Sequence, residues 1–337
     1  MPSVISTAWI QNLLLKNSSN MKLIVNIPAY NEEKIIAETI KKIPRQFAGI
    51  DEVLIQVVDD GSTDKTAEKA KEAGADLIVS YKPNRRLAYS FKRAIENSLE
   101  NGADIMVNID ADGQFDANEI PKLLKPILEG KADMVIGNRF GEIKAKNIPW
   151  IRKSLNKFAA NVIGFFLGHE TNDLTCGFRA HNRETMLRLN LVNTHFTYTQ
   201  ETIIDAIGKD LKLVWMPITI FYFDNREAKI TKSIWKFVGN SFKIILKAIR
   251  DVRPLKFFGW PGLFFIFIGL IGMSIFAFHY FQDFKIRPYQ NYIIFSSISI
   301  FFGIQLAIFA LIADMIKSNR KLTEEQMYLF KVEKYKK

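Results

Sequence analysis

Residues 105–114 read Ile-Met-Val-Asn-Ile-Asp-Ala-Asp-Gly-Gln. An apolar run of strand length ends in two carboxylates one residue apart, Asp110 and Asp112. Outward from this run the same rhythm of apolar strand and helix-like stretch repeats. Upstream, Leu23–Ile27, Val53–Val58 and Leu77–Ser80 read as strands. Between them Asn31 can cap a helix reaching about Lys42. Thr63 to Ala73 reads as a helix with Gly74 at its C′ position, and Ala88–Leu99 as one that stops near Gly102. Downstream, Glu119–Glu129 reads as a helix and Met134–Ile136 as a fifth strand. Strands separated by helices of this length need right-handed crossovers, which build a mainly parallel sheet covered on both faces. The fold class is therefore α/β and Rossmann-like, over residues 21–228.

Sheets of this kind bind ligands beyond the C-terminal ends of their strands. Three stretches fall there: Pro28–Glu32, Asp59–Asp64 and Asp110–Gln114. In the third, Asp110, Asp112 and Gln114 are oxygen donors that can converge on one Mg²⁺ or Mn²⁺, with phosphate and water completing the shell. A calcium loop of the EF-hand type is excluded, because position 4 is Gly113 and position 12 is Pro121. An acidic turn without a ligand stays open on this motif alone. In the second stretch, Asp59 and Asp60 can accept hydrogen bonds from a ribose or base edge. Helix capping by Ser62 or Thr63 explains the same residues equally well. No Gly-Lys-Ser/Thr follows a glycine-rich loop, which excludes a Walker-type ATPase or kinase.

The last third of the chain differs from the rest. Phe257–Gln282 and Pro288–Ala313 contain no charged residue, and each exceeds the roughly 20 residues that cross a bilayer core. The connector Asp283–Arg287 is short, so the two segments read as a helical hairpin, residues 257–316. Before it, residues 229–256 place Ile230, Ile234, Phe237 and Ile245 at helical spacing, with Lys232, Lys236, Lys243 and Lys247 largely elsewhere on the wheel. That pattern reads as an amphipathic interfacial helix. Lys and Arg flank both ends of the hairpin. The positive-inside rule then puts the N-terminal domain and the tail, residues 317–337, in the cytosol. Residues 1–20 lack a basic start and a long apolar run, and read as an extension rather than a signal peptide.

The formal net charge is +11, and much of the excess adjoins the apolar segments. Anionic lipid headgroups, not nucleic acid, are the expected counterpart. The single cysteine, Cys176, rules out an internal disulfide, and four His without close Cys partners speak against a zinc site.

Taken together, the ordered motifs resemble the family 2 glycosyltransferases with the GT-A nucleotide-sugar fold, in the branch of the dolichyl/polyprenyl-phosphate sugar synthases. The motifs are Pro28-Ala-Tyr-Asn-Glu32, Val58-Asp-Asp-Gly-Ser-Thr-Asp64, Asp110-Ala-Asp-Gly-Gln114, Gly137-Asn-Arg139 and Asn172-Asp-Leu-Thr-Cys-Gly-Phe-Arg179. The resemblance runs from about Lys22 to Phe223 and implies a nucleotide-sugar donor and a dolichyl or polyprenyl phosphate acceptor. It implies that Pro28, Ala29, Tyr30, Glu32, Asp59 and Asp60 line the nucleotide pocket. Asp110, Asp112 and Gln114 would hold the metal. Arg139, Asp173, Arg179 and Glu201 would act near the sugar and the phosphates, as would Arg152 and Lys153. One departure is Pro83-Asn-Arg-Arg-Leu-Ala88, where the family often carries a glycine. The runs Tyr198–Thr202 and Arg253–Gly259 resemble archaeal-type enzymes that use UDP-sugars. The expected donor is UDP-N-acetylglucosamine, with GDP-mannose and UDP-glucose as alternatives. A processive polysaccharide synthase would need more spans and a Gln-x-x-Arg-Trp motif, and this chain has neither. A hydroxyl acceptor, a non-catalytic scaffold and a homo-oligomer stay open.

Overall fold

The computed structural model describes residues 20–140, 168–191, 198–221 and 252–336, with scattered positions between 154 and 165 and at 239, 246 and 250. Arg152, Lys153, the N-terminal extension up to residue 19 and most of the expected interfacial helix lie outside the described residues. The chain divides into two compact units. One carries the sheet and also takes in Met327–Lys337; the other carries the apolar helices.

The sheet has seven strands: β1 (Lys22–Ala29), β2 (Glu52–Asp59), β3 (Leu77–Ser80), β4 (Ile105–Asn108), β5 (Met134–Asn138), β6 (Arg179–Asn182) and β7 (Leu213–Pro217). Their order is β3-β2-β1-β4-β6-β5-β7. All neighbouring pairs are parallel except those of β6, which runs antiparallel between β4 and β5. The central strands are sealed on both faces: Leu23, Ile24, Val25, Ile55, Met106, Val107, Met134 and Val135 are fully buried. That is why their sequences read as continuous apolar runs.

Four helices follow where expected: α1 (Ile36–Lys41), α2 (Thr66–Glu72), α3 (Leu87–Glu100) and α4 (Ile120–Leu128). Two more, not expected from the sequence, are α5 (Arg183–Arg188) and α6 (Tyr198–Gly208). Gly74 and Gly102 follow the caps of α2 and α3 with φ of 95° and 72°, the left-handed turn that glycine allows. Asn31 departs from the expectation. It is not an N-cap: α1 starts at Ile36 with no capping side chain. Asn31 instead adopts φ 53°, and its Oδ1 accepts from the Thr63 amide at 2.9 Å. A short amide side chain tolerates that backbone, and here it ties two loops together rather than starting a helix.

In the second unit, α7 (Pro254–Asp283, 30 residues) and α8 (Gln290–Lys334, 45 residues) are both long and apolar enough to cross a membrane. Most of their Phe, Leu and Ile side chains are exposed, including Phe267, Phe281, Phe295 and Phe301. The helices approach at glycines. A Cβ on Gly303 would fall 2.7 Å from the Gly262 carbonyl, and one on Gly269 2.8 Å from that of Ser296. Ser299 Oγ donates to the Phe265 carbonyl at 2.7 Å across the pair. Small residues at the crossing and a serine bridging it are how apolar helices associate without a hydrophobic drive.

The charged tail is helical to Lys334, and its last turns pack within the first unit. Tyr328 Oη donates to Glu184 Oε2 at 2.9 Å, beneath the Arg188 guanidinium. Lys331 Nζ donates to the Leu189 carbonyl and to Asn190 Oδ1, each at 2.9 Å.

Candidate active site

The loops after β1 and β2 are laced to each other. The Asn31 amide donates to Ser62 Oγ (2.9 Å), the Glu32 amide to Thr66 Oγ1 (2.9 Å) and the Lys65 amide to Glu33 Oε2 (3.1 Å). Asp59 Oδ1 accepts from the Ser62 amide at 3.0 Å, which closes the turn. Pro28, Ala29, Tyr30 and Glu32 therefore lie beside Asp59 and Asp60 because their backbones are bonded there. Tyr30 is exposed, whereas Asp59 and Asp60 are buried. Burial is the main influence on Asp60 and raises its pKa; the Arg85 amide, 2.8 Å from Oδ1, works against that rise.

Arg85 belongs to the segment without glycine. Tyr81–Asn84 packs so closely on Gly61 that a Cβ there would lie 2.9 Å from the Asn84 nitrogen. Arg86 takes φ 72° and ψ 164°, a conformation that glycine favours. The loop thus makes its turn at a position where the side chain is an arginine. That arginine directly precedes the first residue of α3.

The third loop leaves β4 at Asn108. Asp112 Oδ1 accepts from the Gln114 amide at 3.1 Å, which folds Asp110–Gln114 into a tight turn. Thr39 Oγ1 donates to the Ala111 carbonyl at 2.9 Å, and the Phe221 amide to that of Gln114 at 2.9 Å. Asp110 is pushed up to about 7, first by burial and then by the negative charge of Asp112, with Arg139 and Arg179 opposing. A carboxylate crowded in this way by a second one is relieved by a divalent cation between them. Among the described residues no group of three His, Cys, Asp or Glu gathers. Two carboxylates and an amide oxygen suit Mg²⁺ or Mn²⁺ whose remaining ligands come from phosphate and water, so the residues fit such an ion.

Across from this loop, Arg139 follows the end of β5. Its Nε donates to Asp173 Oδ2 at 2.6 Å and its Nη2 to Asp173 Oδ1 at 2.9 Å, a planar two-bond pair. Burial would raise Asp173, but the Arg139 charge and hydrogen bonds outweigh it and hold the carboxyl below its usual range. Asp173 is thus an anchor for a guanidinium. Arg179 is in a different position: it is 1% exposed, at the start of β6. Nε donates to the Cys176 carbonyl (2.7 Å), Nη1 to the Thr199 carbonyl (2.8 Å) and Thr202 Oγ1 (2.6 Å), and Nη2 to the Leu174 carbonyl (3.2 Å). This binds the Asp173–Phe178 loop to the first turn of α6. Glu201 is half-buried on that turn. The structure therefore brings together Asp110, Asp112, Arg139 and Asp173, and turns Arg179 inward.

Reasoning from the sequence missed Asn26, Gln56 and Asn108. Each is a lone amide in a largely apolar strand. That recurrence was the available signal.

A mainly parallel sheet with an acid pair at the end of β4 and an arginine–carboxylate pair after β5 defines the class of GT-A-like transferases. The chain is a glycosyltransferase and belongs to glycosyl transferase family 2, whose sequence profile matches residues 24–188. It is 28% identical to glycosyltransferase AglJ of Haloferax volcanii, over 89% of this chain and 94% of that one. It is 30% identical to polyprenol monophosphomannose synthase of Mycolicibacterium smegmatis, over 63% of this chain and 80% of that one. The fold also matches a crystal structure of Mycobacterium tuberculosis glucosyl-3-phosphoglycerate synthase in complex with Mn²⁺, UDP and phosphoglyceric acid. The TM-score is 0.51 and the identity 20%, over 70% of this chain and 82% of that one.

Proposed function

We propose that this glycosyltransferase moves a sugar from a nucleotide-sugar onto a polyprenyl or dolichyl phosphate, with inversion at the anomeric carbon, at the cytosolic face of a membrane. The observation that carries the reading is the crowded pair Asp110–Asp112 facing the Arg139–Asp173 pair. The first suits a cation and the second suits a phosphate. Asp110, Asp112 and Gln114 would hold Mg²⁺ or Mn²⁺. Such an ion, when bound, supplies Lewis-acid neutralisation of the departing nucleoside diphosphate.

The chain's own residues would do the rest. A lipid monophosphate has a second pKa of about 6, so its attacking oxygen is already anionic near neutrality and needs no strong base. Asp173 is committed to Arg139, which fits that absence of a base. It fixes the plane of a guanidinium that matches phosphate oxygens. Arg179 acts at one remove, by holding the loop that carries Asp173. Pro28, Ala29, Tyr30, Glu32, Asp59 and Asp60 would seat the nucleotide, and Glu201 the sugar. Arg152 and Lys153 would add charge on the acceptor side.

The apolar helices support the acceptor. A polyprenyl chain leaves a bilayer only at roughly 0.8 kcal/mol per CH₂, so the enzyme must come to the headgroups. Arg253 and Lys256 before the hairpin, and Lys317, Arg320 and Lys321 after it, favour both flanks on the cytosolic side. The relative named as a polyprenol monophosphomannose synthase supports the same acceptor class. UDP-N-acetylglucosamine is the proposed donor. The test supplies radiolabelled UDP-N-acetylglucosamine, UDP-glucose and GDP-mannose separately to membranes holding polyprenyl phosphate, with Mn²⁺ or with a chelator. Label entering the organic-extractable lipid from the first donor, and only with metal, is expected. Label from none of them, or transfer that survives the chelator, would overturn the reading.

A further inference from the structure

Three amides lie side by side in the middle of the sheet. Asn26 on β1 is the register neighbour of Gln56 on β2 and of Asn108 on β4. All three are fully buried. Their hydrogen bonds run in one direction. Asn97 Nδ2, on α3, donates to Gln56 Oε1 (2.7 Å), and Gln56 Nε2 to Asn26 Oδ1 (2.9 Å). Asn26 Nδ2 donates to Asn108 Oδ1 (2.7 Å), and Asn108 Nδ2 to the Gly177 carbonyl (3.0 Å).

Such a row is a poor way to gain stability. A buried hydrogen bond nets roughly 1 kcal/mol, and apolar side chains of the same shape would pack the sheet about as well. What the row supplies is position, because each amide fixes the rotamer of the next and its end is fully specified. That end is Gly177. A Cβ at this glycine would stand 2.9 Å from both carboxylate oxygens of Asp110. β4 therefore holds the Asp110 carboxylate at two points. The strand delivers Asp110 two residues after Asn108, and Asn108 holds the backbone against which that carboxylate rests.

We infer that Asn108 is a positioning residue: through the Gly177 carbonyl it holds the 172–177 loop and seats the Asp110 carboxylate for the donor's metal. The metal part rests on the proposed function; the loop part rests on the geometry alone. The test uses the full-length chain in detergent and two readouts, Mn²⁺ binding followed by its electron-spin signal and hydrogen exchange in residues 172–177. Asn108→Leu should raise the Mn²⁺ half-saturation at least about tenfold, the usual range for removing a group that orients a metal ligand. It should also speed exchange in the loop. Asn97→Ala breaks the far end of the row and should leave Mn²⁺ binding within about twofold, whatever it does to melting. Asn108→Ala also removes the donor to Gly177, without added bulk and without a buried carboxyl group that donates once protonated. It should follow Asn108→Leu, and it stands in for that variant if it fails to fold.

Unchanged exchange and unchanged Mn²⁺ binding in both Asn108 variants would overturn the inference. So would equal losses from Asn97→Ala, the signature of a general structural role. If the wild-type chain bound no Mn²⁺ even with UDP present to complete the shell, the functional reading would fall, and exchange alone would decide the loop part.

Discussion

Arg139, just past the end of β5, and Arg179, the first residue of the adjacent β6, lie at the same end of the sheet, yet they occupy opposite environments. Arg139 pairs with a carboxylate and keeps part of its side chain in solvent. Arg179 is sealed and spends its donors on three backbone carbonyls and one hydroxyl. An arginine held by a carboxylate is oriented but still faces the site. An arginine held by carbonyls has become part of the framework. The motifs Gly137–Arg139 and Asn172–Arg179 suggested a place near the phosphates for both arginines, and burial separates them.

The comparison can be broken most sharply through activity. Arg139→Ala, combined with Asp173→Asn so that no buried charge is stranded, should lower kcat/KM by about 10³-fold with a near-normal melting temperature. A double variant within about fivefold of wild type would remove Arg139 from the chemistry. Arg179→Met should act the other way. Four buried acceptors lose their donor, and stability should fall on the order of 3 kcal/mol, read as a lower melting midpoint. Activity per folded molecule should fall far less than in the Arg139 variant, and a larger fall would make Arg179 a site residue after all.

The sealed character of β6 also predicts a pH dependence. His181 is fully buried beside Arg179, and among the described residues neither ring nitrogen has a hydrogen-bond partner. Burial, helped by the charge of Arg179, pushes its pKa down to about 3. The unfolded chain binds a proton at about 6.5, so between these values it holds more protons than the folded one. Stability should therefore be complete above pH 7 and fall as pH drops below 6.5, by about 2 kcal/mol at pH 5. His181→Phe should flatten that acid limb; a limb of unchanged slope would show that other groups cause it. The smallest effect concerns Arg86. Arg86→Gly should stabilise the chain by about 1 kcal/mol by relieving its backbone, as measured by thermal melting. A loss of stability would mean that the guanidinium contributes more than the strain removes.

The sheet's central strands were legible because strands buried on both faces are nearly all apolar, as in Leu23–Ile27 and Ile105–Ile109, each interrupted by a single asparagine. β6 was not, because Arg-Ala-His-Asn carries no apolar run; its burial comes from neighbours far away in sequence. The acid pair could be read from spacing alone, since Asp110 and Asp112 share one turn. The pairing of Arg139 with Asp173 could not, because 34 residues separate the partners. Asn31 looked like a cap because its sequence context is that of a cap, and only the loop across from it gave its side chain another use.

The most direct test of the central claim is the location of the metal. A structure with Mn²⁺ and a UDP-sugar, recorded with anomalous scattering, should place the ion at Asp110, Asp112 and Gln114, touching the diphosphate. An ion bound elsewhere, with that loop turned away from the nucleotide, would contradict the account.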